Sequence, residues 1–233
     1  MQYVKIKDAL VEQISSGLLA PRQKLPPERK LAESFNTTRV TLREALSLLE
    51  AEGKIFREDR RGWFISPTPL VYDLRQNQGF TLMAVEQTRR PTTELLSAQS
   101  VLANKQASQM LRLPPFSDVY CINRVRYLED RPVAYVTHYI RPDNFQGLLD
   151  CDLSASLSEL FQQQFSLVLN AIRYRISTSS LLGETAQALR ATAGSPATVV
   201  EKVCLGSNGE AVIGTVEFWR HDALSIESMS EVN

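Results

Sequence analysis

LPPERKLAESFNTTRVTLREALSLLEAEGKIFREDRRGWFI, running from Leu25 to Ile65, decides how the amino end of this chain folds. Leu31, Ala32 and Phe35 give a first short helix an apolar stripe, and Leu42, Ala45, Leu46 and Leu49 stripe a second at helical spacing. Pro27 suits the first position of a helix, where its missing N–H would have no partner anyway. Asn36-Thr37 breaks the chain between the helices, Thr38 is placed to cap the second, and Gly53 to end it in the left-handed region. Ile55-Phe56-Arg57 and Trp63-Phe64-Ile65 then flank Glu58 to Gly62 as a short hairpin. Helix, turn, helix and ribbon make a winged helix-turn-helix, a shape that fits a helix into the DNA major groove.

The side chains suit that shape. Arg39 and Arg43 are four apart, so they project from one face near the start of the second helix, with Thr38 and Thr41 on or beside it. Arginine can fork onto guanine, and threonine can meet a phosphate or a thymine methyl. Arg29 lies in the first turn of the preceding helix, and Arg57, Arg60 and Arg61 decorate the wing beside Gly62. A bland alternative is a solvated helix, since Glu44, Glu50 and Glu52 share it and charge runs usually mark exposed faces. The placement decides against it: these arginines open a helix after a turn and precede an arginine-tipped ribbon.

Composition is compatible with DNA and with little else of an extreme kind. At 43% hydrophobic and 22% charged residues, the chain has the make-up of an ordinary folded protein. The sequence holds no apolar run long enough to span a bilayer and no signal-peptide pattern. Cys121, Cys151 and Cys204 are scattered, which points to a reducing cytoplasm; with only His138 and His221 besides, neither a metal site nor a cofactor is expected. The formal net charge of zero hides an asymmetry. Residues 1–66 hold 12 Lys and Arg against 9 Asp and Glu, a net of +3, and the rest carries −3. That asymmetry points to an amino-terminal part that faces DNA and a body that faces something else.

Ser66-Pro67-Thr68-Pro69 reads as an extended linker, and residues 70–79 show no periodicity. Beyond it the pattern predicts strands at 92–102, 119–128, 132–140, 169–178, 198–205 and 211–219. Short helices are predicted after Asn104, at 157–165 with Ser154 or Ser156 as cap, and at 182–191. Asn208-Gly209 is a strong hairpin signal. The sum is an α+β domain with a mainly antiparallel sheet. One strand is odd: read at period two, Tyr120, Ile122, Arg124, Arg126 and Leu128 share a face. Two guanidinium groups among apolar neighbours need partners, either internal carboxylates or an anionic ligand.

The amino-terminal blocks Leu25-Pro26-Pro27-Glu28-Arg29-Lys30-Leu31-Ala32 and Thr38-Arg39-Val40-Thr41-Leu42-Arg43-Glu44-Ala45-Leu46 resemble the GntR family of bacterial transcription regulators, preceded by its spaced Tyr3, Ile6, Leu10, Ile14 and Gly17. Two positions depart from the pattern. Pro27 stands where a serine is usual, and Arg60-Arg61-Gly62-Trp63-Phe64 replaces a glycine-x-glycine-threonine wing. The remainder resembles the effector domain of the HutC subgroup, a UTRA domain related in fold to chorismate lyase. It does so through Arg124-Val125-Arg126, Asp130-Arg131-Pro132-Val133, Ser154-Ala155-Ser156-Leu157 and Trp219-Arg220-His221-Asp222.

The resemblance implies a DNA-binding domain over 1–66, a linker over 67–78, and an effector-binding and dimerisation domain over 79–233. It further implies a cytoplasmic homodimer on an inverted-repeat operator, with DNA contacts from Arg29, Thr38, Arg39, Thr41, Arg43, Arg61 and Gly62. A small anionic effector would be held by Arg124, Arg126, Ser156 and Thr81, its other end meeting Glu217 or Tyr135. Val136 and Ile213 stand where sugar-binding members carry acids, and the tail 216–222 looks most like regulators of phosphonate utilisation, so a phosphonate such as 2-aminoethylphosphonate, or a phosphorylated catabolite, is implied. A lyase-like enzyme is the competing class, but the chain lacks a glycine-rich phosphate loop and a nucleophile with an evident base. A protein-interaction module using the winged helix is the third.

Overall fold

A computed structural model describes residues 1–229, which fall into two compact units. The first unit takes Met1–Val71 together with Ser180–Pro196 and Arg220–Ser225. Its helices are α1 (Gln2–Ser15), α2 (Glu28–Ser34) and α3 (Arg39–Ala51). Their stripes converge as their spacing requires: Ile6 and Leu10, Leu31 and Ala32, and Leu42, Ala45, Leu46 and Leu49 form one core with Ile55, Trp63 and Ile65. Thr38 caps α3, its hydroxyl accepting the N–H of Thr41 at 3.2 Å. Pro27 sits at the N-cap of α2 and not at its first helical position, so that helix starts with no side-chain cap. Strand β1 (Ile55–Glu58) pairs antiparallel with β2 (Gly62–Ile65), placing Arg57 opposite Trp63. Gly62, at φ +97°, accepts a turn geometry that a side chain would strain. On the other edge of β2, Leu25 donates its N–H to the Trp63 carbonyl, which fixes the start of α2 against the wing.

Sequence composition breaks at the two prolines, yet this unit is closed by segments from far along the chain. Arg220 donates to the carbonyls of Leu189 and Arg57 at 2.7 and 2.8 Å, and Ser66 donates to Asp222 at 2.9 Å. Within the stretch read as linker, a strand forms, β3 (Leu70–Asp73), whose first residue is fully buried and donates its N–H to the Ala223 carbonyl.

The second unit comprises Tyr72–Ser179, Ala197–Trp219 and the residues from Ile226. Its elements are α4 (Phe80–Glu86), β4 (Pro91–Leu102), α5 (Lys105–Leu111), β5 (Asp118–Leu128), β6 (Arg131–Ile140), α6 (Leu157–Phe165), β7 (Leu169–Ser180), β8 (Pro196–Gly206) and β9 (Ala211–Arg220). They build a six-stranded sheet in the order β4-β5-β6-β9-β8-β7, with antiparallel pairing at β4–β5, β5–β6 and β6–β9. The fold is the expected α+β class. One face packs Ile122, Ile140 and Ile213 under Leu157 and Phe161 of α6; the other packs Val119, Tyr139 and Val216 under Ala107, Met110 and Leu111 of α5. Asn104 caps α5 through Ala107, and of the two serines offered for α6, Ser156 is the cap. α4 was not anticipated: it spans just under two helical turns and follows Gly79, which offers no side-chain cap.

Candidate functional site

Two sites emerge, one in each unit. In the first, α3 opens with Arg39 and presents Val40 and Arg43 to solvent, while Leu42, Ala45, Leu46 and Leu49 are buried. Thr38 and Thr41 share a hydroxyl contact of 3.1 Å at the same end. Arg43 does not float freely: its Nε donates to Glu28 at 2.8 Å, and the other oxygen of Glu28 accepts the Trp63 indole N–H at 3.1 Å. Burial raises the Glu28 carboxyl, but the hydrogen bonds from Arg43 and Trp63 outweigh it, and the net shift is downward. Arg61 is paired with the buried Glu58 and lies over the Phe64 ring, and Arg57 lies over Trp63. Arg29 is exposed, 3.9 Å from Glu33. A groove between the start of α2, α3 and the wing is therefore lined, among the described residues, by Lys24, Arg43, Arg57, Arg60 and Arg61 against a single acid, Glu28.

The second site is a cavity of about 350 Å³ wholly within the sheet unit. Three rows of the sheet align beneath it, Arg126, Ala134 and Trp219, then Arg124, Val136 and Glu217, then Ile122, His138 and Thr215, and of these Arg124, Arg126, His138, Thr215 and Glu217 line it. Neighbouring strands lie about 4.8 Å apart, so β5 and β9 are separated by roughly twice that, with β6 between. Long side chains can cross because β6 offers Ala134 there. Arg126 thus reaches Glu217 at 3.0 Å, and Trp219 donates its indole N–H to the other oxygen of Glu217 at 2.7 Å. Phe80 and Trp219 lie against the Arg126 guanidinium at 5.1 and 5.9 Å.

Arg124 is different. It is only 5% exposed, and its donors go to the carbonyls of Ala155 and Leu153 and to His138 Nε2 at 3.1 Å, with no carboxylate among them. Its Nε, like that of Arg126, is buried without a partner. Burial, and then the neighbouring Arg126 charge, lower its pKa to about 9, which leaves it charged at neutral pH. His138 accepts from Arg124 on Nε2, so its proton sits on Nδ1, 3.1 Å from Thr215. Burial and the two arginines hold its pKa well below the ordinary imidazole value.

Of the residues expected to hold a ligand, Arg124, Arg126, Ser156, Thr81 and Glu217 all line this cavity. Ser156 caps α6 by accepting from Glu159, which leaves its own O–H to donate. Glu217 is buried to 1% and holds Arg126; it is no exposed acid waiting for a ligand. Tyr135 lies elsewhere. It pairs with Val125 and Phe218 and so faces the opposite side of the sheet. The cause is a register shift between Arg126 and Tyr127. A regular hairpin in which Leu128 faces Arg131 would have set Tyr135 opposite Arg124; one extra residue turns every later side chain over. Sequence reasoning missed His138, Thr215 and Lys202, which also line the cavity. Reading β9 at period two from Glu217 gives Thr215 and Ile213, a signal that was available for two of the lining residues.

A winged helix with a basic reading groove, joined in one chain to a sheet domain with a cationic cavity, defines a ligand-responsive DNA-binding regulator. Comparison with known proteins is consistent with this. Residues 2–65 match the bacterial regulatory proteins of the gntR family and residues 86–225 match the UTRA domain. The HTH-type transcriptional regulator YihL of Escherichia coli is 30% identical over 94% of each chain. The HTH-type transcriptional repressor NagR of Bacillus subtilis is 27% identical over 94% of this chain and 90% of its own. The solved structure of PhnF from Mycobacterium smegmatis shares the fold, with a TM-score of 0.68 at 19% identity, covering 98% of this chain and all of that one. The chain belongs to the GntR family and carries a UTRA effector domain. It is a DNA-binding transcriptional regulator. No helix among the described residues is long and apolar enough to cross a membrane.

Proposed function

We propose that this regulator, of the HutC subgroup, binds an inverted-repeat operator as a homodimer and that its affinity for the operator is set by a small phosphonate or phosphorylated metabolite. The observation that carries the proposal is Arg124, a buried guanidinium on the wall of a cavity that hydrogen-bonds no carboxylate among the described residues. Two buried guanidinium groups that share the single carboxylate of Glu217 are under-compensated, and a dianionic head group would supply the missing charge. Arg124, Arg126, Ser156 and Thr81 would hold that head group. An ammonium end, as in 2-aminoethylphosphonate, would use the remaining lone pairs of Glu217. Lys202 adds to the positive lining, so neutral metabolites are disfavoured.

On the DNA side, Thr38, Arg39, Thr41 and Arg43 would read the major groove, with Arg29, Arg61 and Gly62 on the backbone or minor groove. Linkage requires ligand and operator to alter each other's affinity by one common factor, with coupling of about 1–3 kcal/mol. Calorimetry with 2-aminoethylphosphonate, methylphosphonate, sugar phosphates and their unphosphorylated counterparts tests the ligand. Binding only of an unphosphorylated compound removes this reading. A mobility-shift titration with saturating ligand tests the switch, and Arg39→Ala and Arg43→Ala test the reader. Each substitution is expected to weaken operator binding by about 1–3 kcal/mol while the protein stays folded.

A further inference from the structure

We infer that Glu28 is a positioning residue for DNA reading, bracing Arg43 of α3 and Trp63 of the wing in one fixed geometry so that discrimination among base pairs depends on it. The inference rests on the reading of α3 as the major-groove helix. Glu28 is the first residue of α2, and its two carboxylate oxygens are divided between elements 15 and 35 residues away in sequence. One oxygen accepts from Arg43 Nε at 2.8 Å and the other from Trp63 Nε1 at 3.1 Å.

Which nitrogen is used matters. Engaging Nε restrains the plane of the guanidinium without committing either terminal nitrogen to Glu28, and two of arginine's nitrogens can fork onto the O6 and N7 of guanine. Arg43 remains 64% exposed, so its terminal end is free to meet a base. The other half of the brace is anchored, because Trp63 is 7% exposed within the core of the unit and carries the Arg57 guanidinium over its ring at 5.6 Å. A long flexible arginine is thereby fixed by a buried indole through one carboxylate. Helix and wing are tied to each other by the same group.

Such a brace has an opposite consequence for affinity. Among the described residues Glu28 is the one acid that lines a groove whose charged residues are otherwise Lys24, Arg43, Arg57, Arg60 and Arg61, so its charge repels the phosphates of any duplex. Removing the charge should strengthen binding to random DNA while discrimination falls, a combination that a mere loss of folding does not produce.

The test uses the full chain and two probes: a duplex of roughly 30 base pairs, long enough for two half-sites, selected from a random library by the wild-type protein, and a random-sequence duplex of the same length. Fluorescence anisotropy across salt concentrations is compared for wild type, Glu28→Gln, Trp63→Phe and Arg43→Ala, with thermal unfolding as a check on the fold. Glu28→Gln is expected to lose about tenfold in the ratio of selected to random affinity, with random-duplex binding equal or tighter. Added to Arg43→Ala it should remove nothing more. Trp63→Phe, which keeps an aromatic ring but no indole N–H, should lose part of the same ratio. Equal weakening on both duplexes, or an unchanged ratio with Glu28→Gln, overturns the inference while leaving Arg43 as a reader. If Arg43→Ala itself discriminates like wild type, the major-groove reading of Arg43 falls and this inference with it.

Discussion

Arg43 and Arg124 are the same side chain under opposite conditions. Arg43 is 64% exposed and has a carboxylate at 2.8 Å; Arg124 is 5% exposed and has none. The exposed one has little to gain from its pair on its own side, since water already solvates its guanidinium, although its partner Glu28 is only 19% exposed; ion pairs with an exposed member contribute about 0–1 kcal/mol. The buried one has lost its water and received only two carbonyls and an imidazole in return. One arginine is positioned by its acid. The other has no hydrogen-bonded carboxylate, and on the proposed function that difference separates a surface that reads from a cavity that senses.

The comparison breaks most sharply at Glu217. This acid is the internal counter-ion of Arg126, and it also accepts the Trp219 indole N–H. Glu217→Ala would leave two neighbouring buried guanidinium groups without a carboxylate. Removing one partner of a buried pair typically destabilises by about 3–5 kcal/mol. Arg43→Ala removes a largely exposed guanidinium from a half-buried pair and should cost less, about 1 kcal/mol or below. Urea denaturation of both variants decides the matter. Similar losses from the two would mean that burial does not distinguish these sites.

Arg124 sharpens the contrast from the other side. Arg124→Met deletes a charge that has no carboxylate to orphan, so folding without ligand should be unchanged or gain up to about 1 kcal/mol. Ligand stabilisation should vanish. A saturating phosphonate or sugar phosphate at about a hundred times its Kd would stabilise the wild type by about 2.7 kcal/mol and this variant by close to nothing. Thermal unfolding with and without the ligand measures both. A variant that is stabilised as strongly as the wild type shows that the anion is held elsewhere.

How much of this could be read from the chain follows from how local each signal is. The stripes of α2 and α3, the Thr38 cap and the Gly62 turn are settled within a few residues of themselves, and they were all legible. Arg124 and Arg126 stood out because strand alternation put charge on an apolar face, and Ser156 because a cap precedes its helix. What failed was register and distance. A single irregularity after Arg126 sets the register that holds Tyr135 on the far face, a side that strand alternation beside Val136 already marked. The Glu28 bridge joins residues 15 and 35 positions apart, and α4 is too short to show a period. The first unit's closure by Arg220 and Asp222 belongs to the same group, because a break in composition at two prolines says nothing about which later segment packs back.

The smallest predicted effect concerns the partner that Arg124 does have. His138 is buried beside two arginines and receives a hydrogen bond from one of them on Nε2, so adding a proton there would set cation against cation. The folded state therefore keeps the ring neutral, while the unfolded chain protonates it below about 6.5. Stability should thus fall as pH drops through that value and go on falling until the depressed folded pKa is reached, with a slope of up to about 1.4 kcal/mol per pH unit. Glu28, Asp73 and Asp152, whose pKa values are lowered, give losses of the same sign but only at more acid pH. Glu50 works in the opposite direction, since burial raises its carboxyl. The difference between wild type and His138→Gln removes those contributions. Glutamine can accept from Arg124 through its carbonyl, yet it cannot take up a proton. Denaturant midpoints for both proteins between about pH 7 and pH 5 should diverge, with the wild type losing more. Parallel curves would mean that His138 can be protonated in the fold, and that the room beside Arg124 already tolerates another positive charge.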